Sequence, residues 1–385
     1  MRIQYFKMER FQSQWENVVD YNLSESGVDP LSFDELVPQE ELGEILKTKL
    51  GYIQTDGTPQ LKEKISRIYQ GAHEKNILVT TGSAEANYLL IWSTIEPGDE
   101  VVFMLPNYMQ IAGLMRSFGA NVKTFHLKEE LDWNPDLDEL SSLITKDTKI
   151  ISITNPNNPT GGQLSEDARQ AIISLAEKAD AWLFVDEVYQ GAELDEKITP
   201  SFWGTYKKAV VTCGLSKAHG LPGLRAGWLV APEDLAAKVW TYKDYTSICL
   251  SAVSDSLAQI ALRPENRKKI LQRTRRILKT NFPVLESWLN RQDGIFHCLP
   301  PKAGGIAFAR YNLDINSTEL VDRLREKKSV LLCPGDHFEM DGYIRFGYGG
   351  EIEYMIKALE LVQEGIEELK AQEQVKNNRE GNMRR

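Results

Sequence analysis

Short apolar runs recur between residues 77 and 230 and alternate with polar or glycine-containing stretches. Runs of this length that end in turn residues are typical of buried strands. Seven of them are predicted to be strands, at residues 77–79, 101–105, 122–125, 150–153, 182–185, 209–211 and 228–230. Stretches with helical periodicity, such as 84–95 and 166–178, lie between most of these runs. The alternation predicts an α/β fold in which helices cover both faces of a mostly parallel seven-stranded sheet.

The pattern changes after residue 232, where a long charged stretch replaces the alternation. Residues 264–289 predict a single connecting helix, and the shorter stretches after it predict a smaller α+β domain. The chain is predicted to contain a large domain at residues 46–262 and a small domain at residues 263–370. An N-terminal segment, residues 1–45, is predicted to pack with the small domain, and residues 371–385 are predicted to form a polar tail without regular structure.

Charge and composition argue against several classes of protein. The net charge of −10 disfavours an extended surface for nucleic acid or anionic membranes. No apolar run reaches the roughly 18–20 residues of a membrane span, and the first residues lack the apolar core of a signal peptide. The four cysteines and five histidines lack the spacing of a metal site. We therefore expect a cytoplasmic protein with reduced thiols and no metal ion.

Polar and glycine-rich clusters follow the predicted strands. They stand at residues 81–83, 106–108, 155–162, 186–189 and 216–217. In parallel α/β sheets, ligands bind at the carboxyl ends of the strands, where helix N-termini also point. The pattern predicts one ligand site along this edge of the sheet.

One of these clusters holds a lysine, and an arginine follows in the same glycine-rich loop. Lys217, at the end of a strand, is suited to covalent chemistry with a carbonyl compound. Arg225, close to Gly223 and Gly227, is suited to bind a phosphate group. Together they favour pyridoxal 5′-phosphate (PLP). A Ser-Lys pair alone is more often a surface lysine in a tight turn.

Two other clusters offer hydrogen-bonding groups at strand ends. Asn158, held by Pro159, could present its amide to a ligand oxygen, or the segment could be a simple turn. Asp186 follows an apolar strand and is costly to bury without a cation or several donors. A protonated pyridine nitrogen would be such a partner, and Tyr189 could bond the phenolic oxygen of the same ring. The alternative is an aspartate that caps the next helix.

Three more residues are weaker candidates. Ser83 stands where a helix begins, so backbone N–H groups there could bind an anion, although a simple cap is the commoner role. Tyr108 could stack on an aromatic ring or merely pack. Arg345 lies in an apolar segment, where a buried arginine requires a carboxylate from a substrate or from a structural aspartate.

The order of these motifs resembles a known family. From about Tyr21 to about Leu369 the chain is similar to fold-type-I PLP enzymes of the class I and II aminotransferase family, the aspartate aminotransferase-like group. The resemblance is carried by Asn158-Pro159-Thr160-Gly161, Asp186-Glu187-Val188-Tyr189, and Ser216-Lys217 with Arg225. It implies a large domain with a mostly parallel sheet, a smaller α+β domain and PLP as cofactor.

The resemblance also implies roles in catalysis and in holding the cofactor ring. Lys217 would form the Schiff base with PLP and move the proton at the substrate Cα. Asp186 would keep the pyridine nitrogen protonated, and Asn158 and Tyr189 would bond the phenolic oxygen. Tyr108 would stack on the ring.

The remaining implied roles concern the phosphate, the substrate and a second subunit. The phosphate would be bound by Gly82, Ser83, Ala84, Ser216 and Arg225. Arg345 would hold the substrate carboxylate with help from Asn158 and the backbone near Gly27. Tyr52 matches a tyrosine that reaches the phosphate of the neighbouring subunit, which implies a homodimer with shared active sites.

We expect an aminotransferase that exchanges an amino group between an L-amino acid and a 2-oxo acid by a ping-pong route. The alternative enzyme is a PLP-dependent lyase or cyclase, which would catalyse β-elimination or close a capreomycidine-type ring on an amino acid. A regulatory module without turnover is disfavoured because the similarity begins near Tyr21 and Lys217, Asp186 and Arg345 are present. Residues 23–27 differ from the commoner glycine-rich version, and Glu25 is a hypothetical contact for a basic side chain.

Overall fold

The computed structural model describes residues 3–195 and 197–383, and side chains as far as residue 372. The strands in this part of the chain are β1 Tyr21–Asn22, β2 Ile77–Thr81, β3 Glu100–Leu105, β4 Asn121–Lys128, β5 Asn134–Pro135, β6 Thr148–Thr154, β7 Trp182–Asp186, β8 Ala209–Gly214, β9 Ala226–Val230, β10 Phe296–Cys298, β11 Ile306–Tyr311, β12 Val330–Leu331, β13 Cys333–Pro334 and β14 Tyr343–Gly347.

The α-helices in the same residues are α1 Lys7–Trp15, α2 Phe33–Leu36, α3 Leu42–Ile45, α4 Pro59–Ser66, α5 Ser83–Thr94, α6 Gln110–Ser117, α7 Leu137–Leu143, α8 Glu166–Ala179, α9 Glu233–Lys243, α10 Ala252–Ala261, α11 Pro264–Asn290, α12 Ser317–Lys328 and α13 Ile352–Met383. Short 3₁₀ turns lie at Gln39–Glu41, Glu74–Asn76, Glu129–Leu131, Pro222–Leu224 and Gly335–Phe338. Side chains cap the starts of α4, α7, α8, α10 and α12, as where Ser165 accepts the Ala168 N–H at the start of α8.

The large sheet has the strand order β2-β9-β8-β7-β6-β3-β4-β5. All seven predicted strands lie in it, and β3, β4, β6, β7 and β8 pair in parallel, which confirms the predicted fold class. Strand β9 runs antiparallel to both of its neighbours. The eighth strand, β5, was not predicted, because a two-residue edge strand has no recognisable period.

The large sheet is buried on both faces. Along β3, Val101 and Phe103 face the core that helices α5, α6 and α9 cover, whereas Val102 and Met104 face the core on the other side. Successive side chains of a strand point to opposite faces, so a strand that is covered on both sides must be apolar throughout. This is why the short continuous apolar runs identified the strands.

A second core surrounds the antiparallel sheet β10-β11-β14-β13. Helices α11, α12 and α13 pack on this sheet. The helix predicted at 264–289 is α11, with Pro283 inside it. The domain boundaries at residues 45 and 262 stay predictions.

The N-terminal segment contacts both cores rather than only the small unit. Strand β1 pairs in parallel with β12, and Leu23 and Val28 pack in the small core. Met8 and Leu36, however, are buried in the core of the large sheet. The segment therefore spans the junction between the two units.

Two glycines let this segment pass close to the small sheet. A Cβ on Gly347 would lie 2.1 Å from the carbonyl oxygen of Glu25, and a Cβ on Gly349 would lie 2.1 Å from that of Gly27. The Gly347 N–H donates to the Leu23 carbonyl at 2.7 Å, and the Asp29 N–H donates to the Gly349 carbonyl at 2.8 Å. Only glycine permits this approach of two backbones.

The polar tail differs from the expectation. Residues 371–385 were predicted to lack regular structure, but the backbone of helix α13 continues to Met383. Residues 371–383 are mostly polar and contain no proline, which would end a helix. No helix in the described ranges is both long and apolar enough to cross a membrane, and the cytoplasmic location stays a prediction.

Candidate active site

A cavity of about 500 Å³ opens at the carboxyl ends of the large sheet, within the usual size range of small-molecule sites. The predicted site residues that line it are Ser83, Ala84, Tyr108, Asn158, Asp186, Tyr189, Ser216, Lys217 and Arg225. We call the strand-end residues Asn158, Asp186, Tyr189, Ser216 and Lys217 the sheet wall. Residues that were far apart in sequence thus meet in one place, as the strand-end rule predicts.

The start of helix α5 forms one end of the cavity. Gly82 precedes the helix with φ +81°, and no side chain caps it, so the first N–H groups are available to an anion. A Cβ on Gly82 would lie 2.8 Å from Nη2 of Arg225, and one on Gly227 would lie 2.3 Å from the backbone of Ser83. Arg225 is in no ion pair within the described residues. The arrangement suits a phosphate group.

Asp186 ends strand β7 and is 4% exposed. Its carboxylate accepts the Val188 N–H at 3.1 Å and the Asn87 side-chain amide at 3.3 Å. Burial raises the pKa of Asp186 to about 6, and the two hydrogen bonds offset only part of this effect. A carboxylate in this position lacks a cation and can accept the N–H of a protonated ring.

The neighbouring carboxylate has a different environment. Glu187 does not line the cavity, and it accepts the Phe202 N–H at 2.7 Å and the Ser201 hydroxyl at 2.7 Å. Burial also raises the pKa of Glu187, to about 7. Its hydrogen bonds come from within the fold, so Glu187 needs no ligand.

The hydroxyl of Tyr189 has no hydrogen-bond partner, although the residue is 2% exposed and lines the cavity. A buried hydroxyl without a partner is costly, and a ligand oxygen would satisfy it. Asn158, next to it in the cavity, accepts a hydrogen bond from Nη1 of Arg345 at 2.8 Å. Its amide nitrogen makes no hydrogen bond to another described residue and is available to a ligand.

Arg345 lies directly behind Asn158 and is fully buried in strand β14. Nη2 donates to the Ser24 carbonyl at 2.5 Å, and Nε has no partner. No carboxylate of the described residues pairs with it. Of the two partners considered from the sequence, the structural aspartate is therefore absent from this part of the chain, and Arg345 holds a buried positive charge that a ligand carboxylate would compensate.

The other predicted residues differ in how close they lie to the cavity. Lys217 and Ser216 follow strand β8 in a turn and are half-buried. Gly27 does not line this cavity, but a Cβ on it would lie 3.9 Å from Cδ of Lys217. Tyr108 donates from its hydroxyl to Glu9 at 2.8 Å. Tyr52 lies outside the cavity and is 84% exposed.

Several cavity residues were missed from the sequence. Glu9, Gln12 and Glu16 line the cavity from α1 and the residue after it, at a spacing that places them on one face. Together with Glu25 they form what we call the N-terminal wall. Asn87 was also missed, although a polar residue inside the apolar helix α5 could have indicated it.

The donor set fits PLP at three separate points. Asp186 complements a protonated pyridine nitrogen, Tyr189 a phenolic oxygen, and the N-terminus of α5 with Arg225 a phosphate. Asp186 lacks a cation, the Tyr189 hydroxyl lacks a hydrogen-bond partner, and the N-terminus of α5 lacks a capping side chain. PLP would supply the missing partner in each case. The arrangement is specific because all three groups border one cavity with Lys217.

Comparison with known proteins agrees with this chemistry. The model of the family "Aminotransferase class I and II" matches residues 26–362. A PLP-dependent aminotransferase structure from Streptococcus suis 89-1591 is 33% identical with a TM-score of 0.90, covering 96% of this chain and 99% of its own. The capreomycidine synthase of Streptomyces vinaceus is 30% identical over 71% of this chain and 69% of its own length.

A third relative, the aspartate aminotransferase of Thermotoga maritima, is 26% identical over 86% of this chain and 87% of its own length. The family model covers most of the chain, including all the strand-end residues of the sheet wall. The cofactor of this enzyme is PLP. The chain belongs to the class I and II aminotransferase family, with the aspartate aminotransferase-like fold of type I.

Proposed function

We propose that the protein is an aminotransferase that exchanges an amino group between an L-amino acid and a 2-oxo acid by a ping-pong route. The observation that carries the proposal is the position of Lys217 in one cavity with Asp186 and Tyr189, while Arg345 lies uncompensated behind Asn158. A base, a partner for a protonated ring and a cation for a carboxylate are the groups that transamination of an α-amino acid needs.

PLP, when bound, withdraws electrons through its protonated ring and makes the proton on the substrate Cα acidic. Asp186 would hold the protonated ring nitrogen, because its buried carboxylate lacks a cation among the described residues. The Lys217 amino group would take the proton from the substrate Cα and hold it for the next proton transfer. Tyr189 and Asn158 would donate hydrogen bonds to the phenolic oxygen.

Arg345, Asn158 and the N-terminal segment would orient the substrate. The planar guanidinium of Arg345 matches a carboxylate in a bidentate pair, which fixes the plane of the substrate. Asn158 and the Ser24 carbonyl already hold this guanidinium in place. A preformed position reduces the entropy that substrate binding costs.

A PLP-dependent lyase or cyclase is the second candidate, because a capreomycidine synthase is among the relatives at 30% identity. The same lysine, aspartate and arginine serve elimination and ring closure, since these reactions also begin with removal of the Cα proton. The reactions differ after this common step, because elimination breaks a bond at the substrate Cβ and transamination does not.

The test is a half-reaction without an acceptor. The purified holoenzyme is mixed with single L-amino acids, and the cofactor absorbance is followed. Conversion to the pyridoxamine form, reversed by a 2-oxo acid, is the expected result. Return of the original spectrum with release of ammonia or a cyclic product would instead establish the lyase or cyclase, and would overturn the proposal.

We also propose that the enzyme is a homodimer in which Tyr52 completes the site of the partner. Leu46, Leu50 and Tyr52 expose apolar surface on one short stretch, and Trp240 donates to Thr55 beside it. Such a surface is suited to a second copy of the chain.

Mixed dimers provide the test. Tyr52→Ala and Lys217→Ala chains are unfolded together and refolded, so that mixed dimers contain one intact site. We expect activity of about a quarter of the wild-type value, well above either variant alone. Activity no higher than the sum of the two separate variants, or a monomer by sedimentation, would contradict shared sites.

A further inference from the structure

The N-terminal wall brings three carboxylates to the cavity. Glu9 and Glu16 line it on one face of α1, and Glu25 lines it from the following segment. Gln12, between them on the helix, donates to the Ser24 carbonyl at 2.8 Å and to the Ser24 hydroxyl at 3.0 Å. These hydrogen bonds attach the helix face to the segment that carries Glu25, so the three acids belong to one surface.

These carboxylates lack positive partners within the protein. Among the described residues, none of the three takes part in an ion pair, and only Glu9 accepts a side-chain hydrogen bond, from Tyr108. Burial, and the negative charges of Glu25 and Glu9, raise the pKa of Glu16. The cation that acts on Glu16 in the opposite direction is Lys217, whose amino group the proposed reaction uses.

Two buried groups beside the same cavity indicate that it takes a ligand, and the proposed function assigns them to the cofactor and to the substrate α-carboxylate. The Tyr189 hydroxyl lines this cavity, is buried and has no partner. Arg345 stands behind Asn158 as a buried cation without a carboxylate. An unmatched positive charge therefore lies behind the cavity lining at Asn158, and unmatched negative charges line the cavity on the N-terminal wall.

We infer that the amino-acid substrate carries a second cation, a guanidinium or ammonium group, on its side chain. This inference rests on the proposed function and assigns its substrate class. The α-carboxylate pairs with Arg345, and the side-chain cation is held by Glu16 and Glu25, with Glu9 adding negative potential while it positions Tyr108. An acidic side chain would be repelled, and a neutral one would leave the carboxylates without a partner.

The experiment uses the PLP-loaded enzyme and two matched pairs of compounds. L-arginine and L-citrulline have nearly the same shape, but only arginine is charged, and their half-reactions are compared. δ-Guanidinovalerate and δ-ureidovalerate lack the amino group and cannot react, so calorimetry measures their binding alone. We expect the charged member to be preferred roughly 10- to 100-fold in both pairs, as for a charge-assisted hydrogen bond.

Variants of Glu16 and Glu25 test whether the N-terminal wall causes the preference for the charged compound. Glu16→Gln and Glu25→Gln should each lower the ratio about 3- to 10-fold, and the double variant should bring it close to one. Glu40→Gln removes a carboxylate from an exposed turn that does not line the cavity, and should leave the ratio unchanged. The cofactor absorbance and the melting temperature verify that each variant is folded.

The outcomes separate the inference from the function on which it rests. A ratio near one in the wild-type enzyme, with normal half-reactions of neutral donors, would overturn the inference and leave the aminotransferase intact. A preference that persists in both single Gln variants and in the double variant would also overturn it. If no donor reacts but δ-guanidinovalerate is still preferred, the charge selectivity holds and the proposed aminotransferase function fails.

Discussion

The two walls of the cavity are built in opposite ways. On the sheet wall, Asp186 and Tyr189 are almost fully buried, and their positions follow from strands packed on both faces. On the N-terminal wall, Glu9, Glu16 and Glu25 are half-buried or exposed and come from a short helix and an extended segment. The contrast indicates a division of labour, in which rigid strand ends hold the reaction chemistry and the less buried segment holds substrate choice.

The largest expected effect comes from the sheet wall and should not depend on the substrate. Lys217→Ala removes the base, so the half-reaction rate should fall by about 10²- to 10⁴-fold or more. The loss should be the same for L-arginine and L-citrulline in single-turnover spectra. Lys146→Ala, at an exposed position, is the control. A loss of activity with only one of the two donors would contradict the assignment of the reaction chemistry to the sheet wall and of substrate choice to the N-terminal wall.

Asp186→Asn tests the same wall through pH. A shift of the Asp186 pKa from 3.8 to about 6 corresponds to about 3 kcal/mol. Because the folded state binds the proton more tightly, the free energy of unfolding of the cofactor-free wild type should fall as pH rises from about 4 to about 6. The Asn variant should lack this contribution in denaturant titrations.

The adjacent carboxylate supplies the control for this measurement. Glu187→Gln should alter stability, because Glu187 accepts the Phe202 N–H and the Ser201 hydroxyl, but it should leave the affinity for PLP nearly unchanged. Asp186→Asn should weaken PLP binding. Equal weakening by both variants would show that general burial, rather than the position of Asp186 in the cavity, controls cofactor affinity.

Arg345 connects the sheet wall to the N-terminal segment, since it donates to Asn158 on one side and to the Ser24 carbonyl on the other. Arg345→Lys keeps the positive charge but loses the planar guanidinium, which can donate two parallel hydrogen bonds to a carboxylate. We expect kcat/KM to fall roughly 10- to 100-fold for every α-amino acid, with the preference for cationic donors unchanged. Arg310→Lys, on the exposed side of the same small sheet, should have little effect.

The smallest expected effect on turnover comes from a glycine that contacts the N-terminal segment, and it tests whether this segment determines donor selectivity. Gly349→Ala would place a Cβ 2.1 Å from the Gly27 carbonyl, so the segment must move, at a cost of about 1–3 kcal/mol in stability. Gly27→Ala meets its nearest atom at 3.5 Å, an ordinary contact, and should cost much less. Gly349→Ala should lower donor selectivity more than the rate with a neutral donor. The reverse result would contradict the assignment of selectivity to this wall.

The sequence was informative where local pattern and position in the fold coincide. Six of the seven predicted strands were recognisable because both of their faces are buried, whereas β4 is only partly buried. Asn158, Asp186 and Lys217 were recognisable because they follow or end such buried strands. The roles assigned to these residues stay predictions. The resemblance to the family added the cofactor, which the family match confirms.

The acidic face of α1 could not be predicted in the same way. Glu9 and Glu16 have the spacing of an ordinary solvated helix face, and nothing local indicates that a cavity lies beneath them. Their place depends on the pairing of β1 with β12, which is a contact between distant parts of the chain. Glu25 was proposed only from its departure from the family pattern.

That pairing also has a consequence for how the enzyme is made. The Asp20 N–H binds the hydroxyl of Ser329, 309 residues later in the chain. At a translation rate of roughly 5 to 20 residues per second, Ser329 is synthesised roughly 15 to 60 seconds after Asp20. During this interval the strands β2–β9 and Lys217 have already been synthesised, whereas the strand residue Leu331, whose carbonyl accepts the Leu23 N–H, has not. The substrate-selecting wall is thus completed last, and a prematurely terminated chain would carry the lysine without the surface that chooses its substrate.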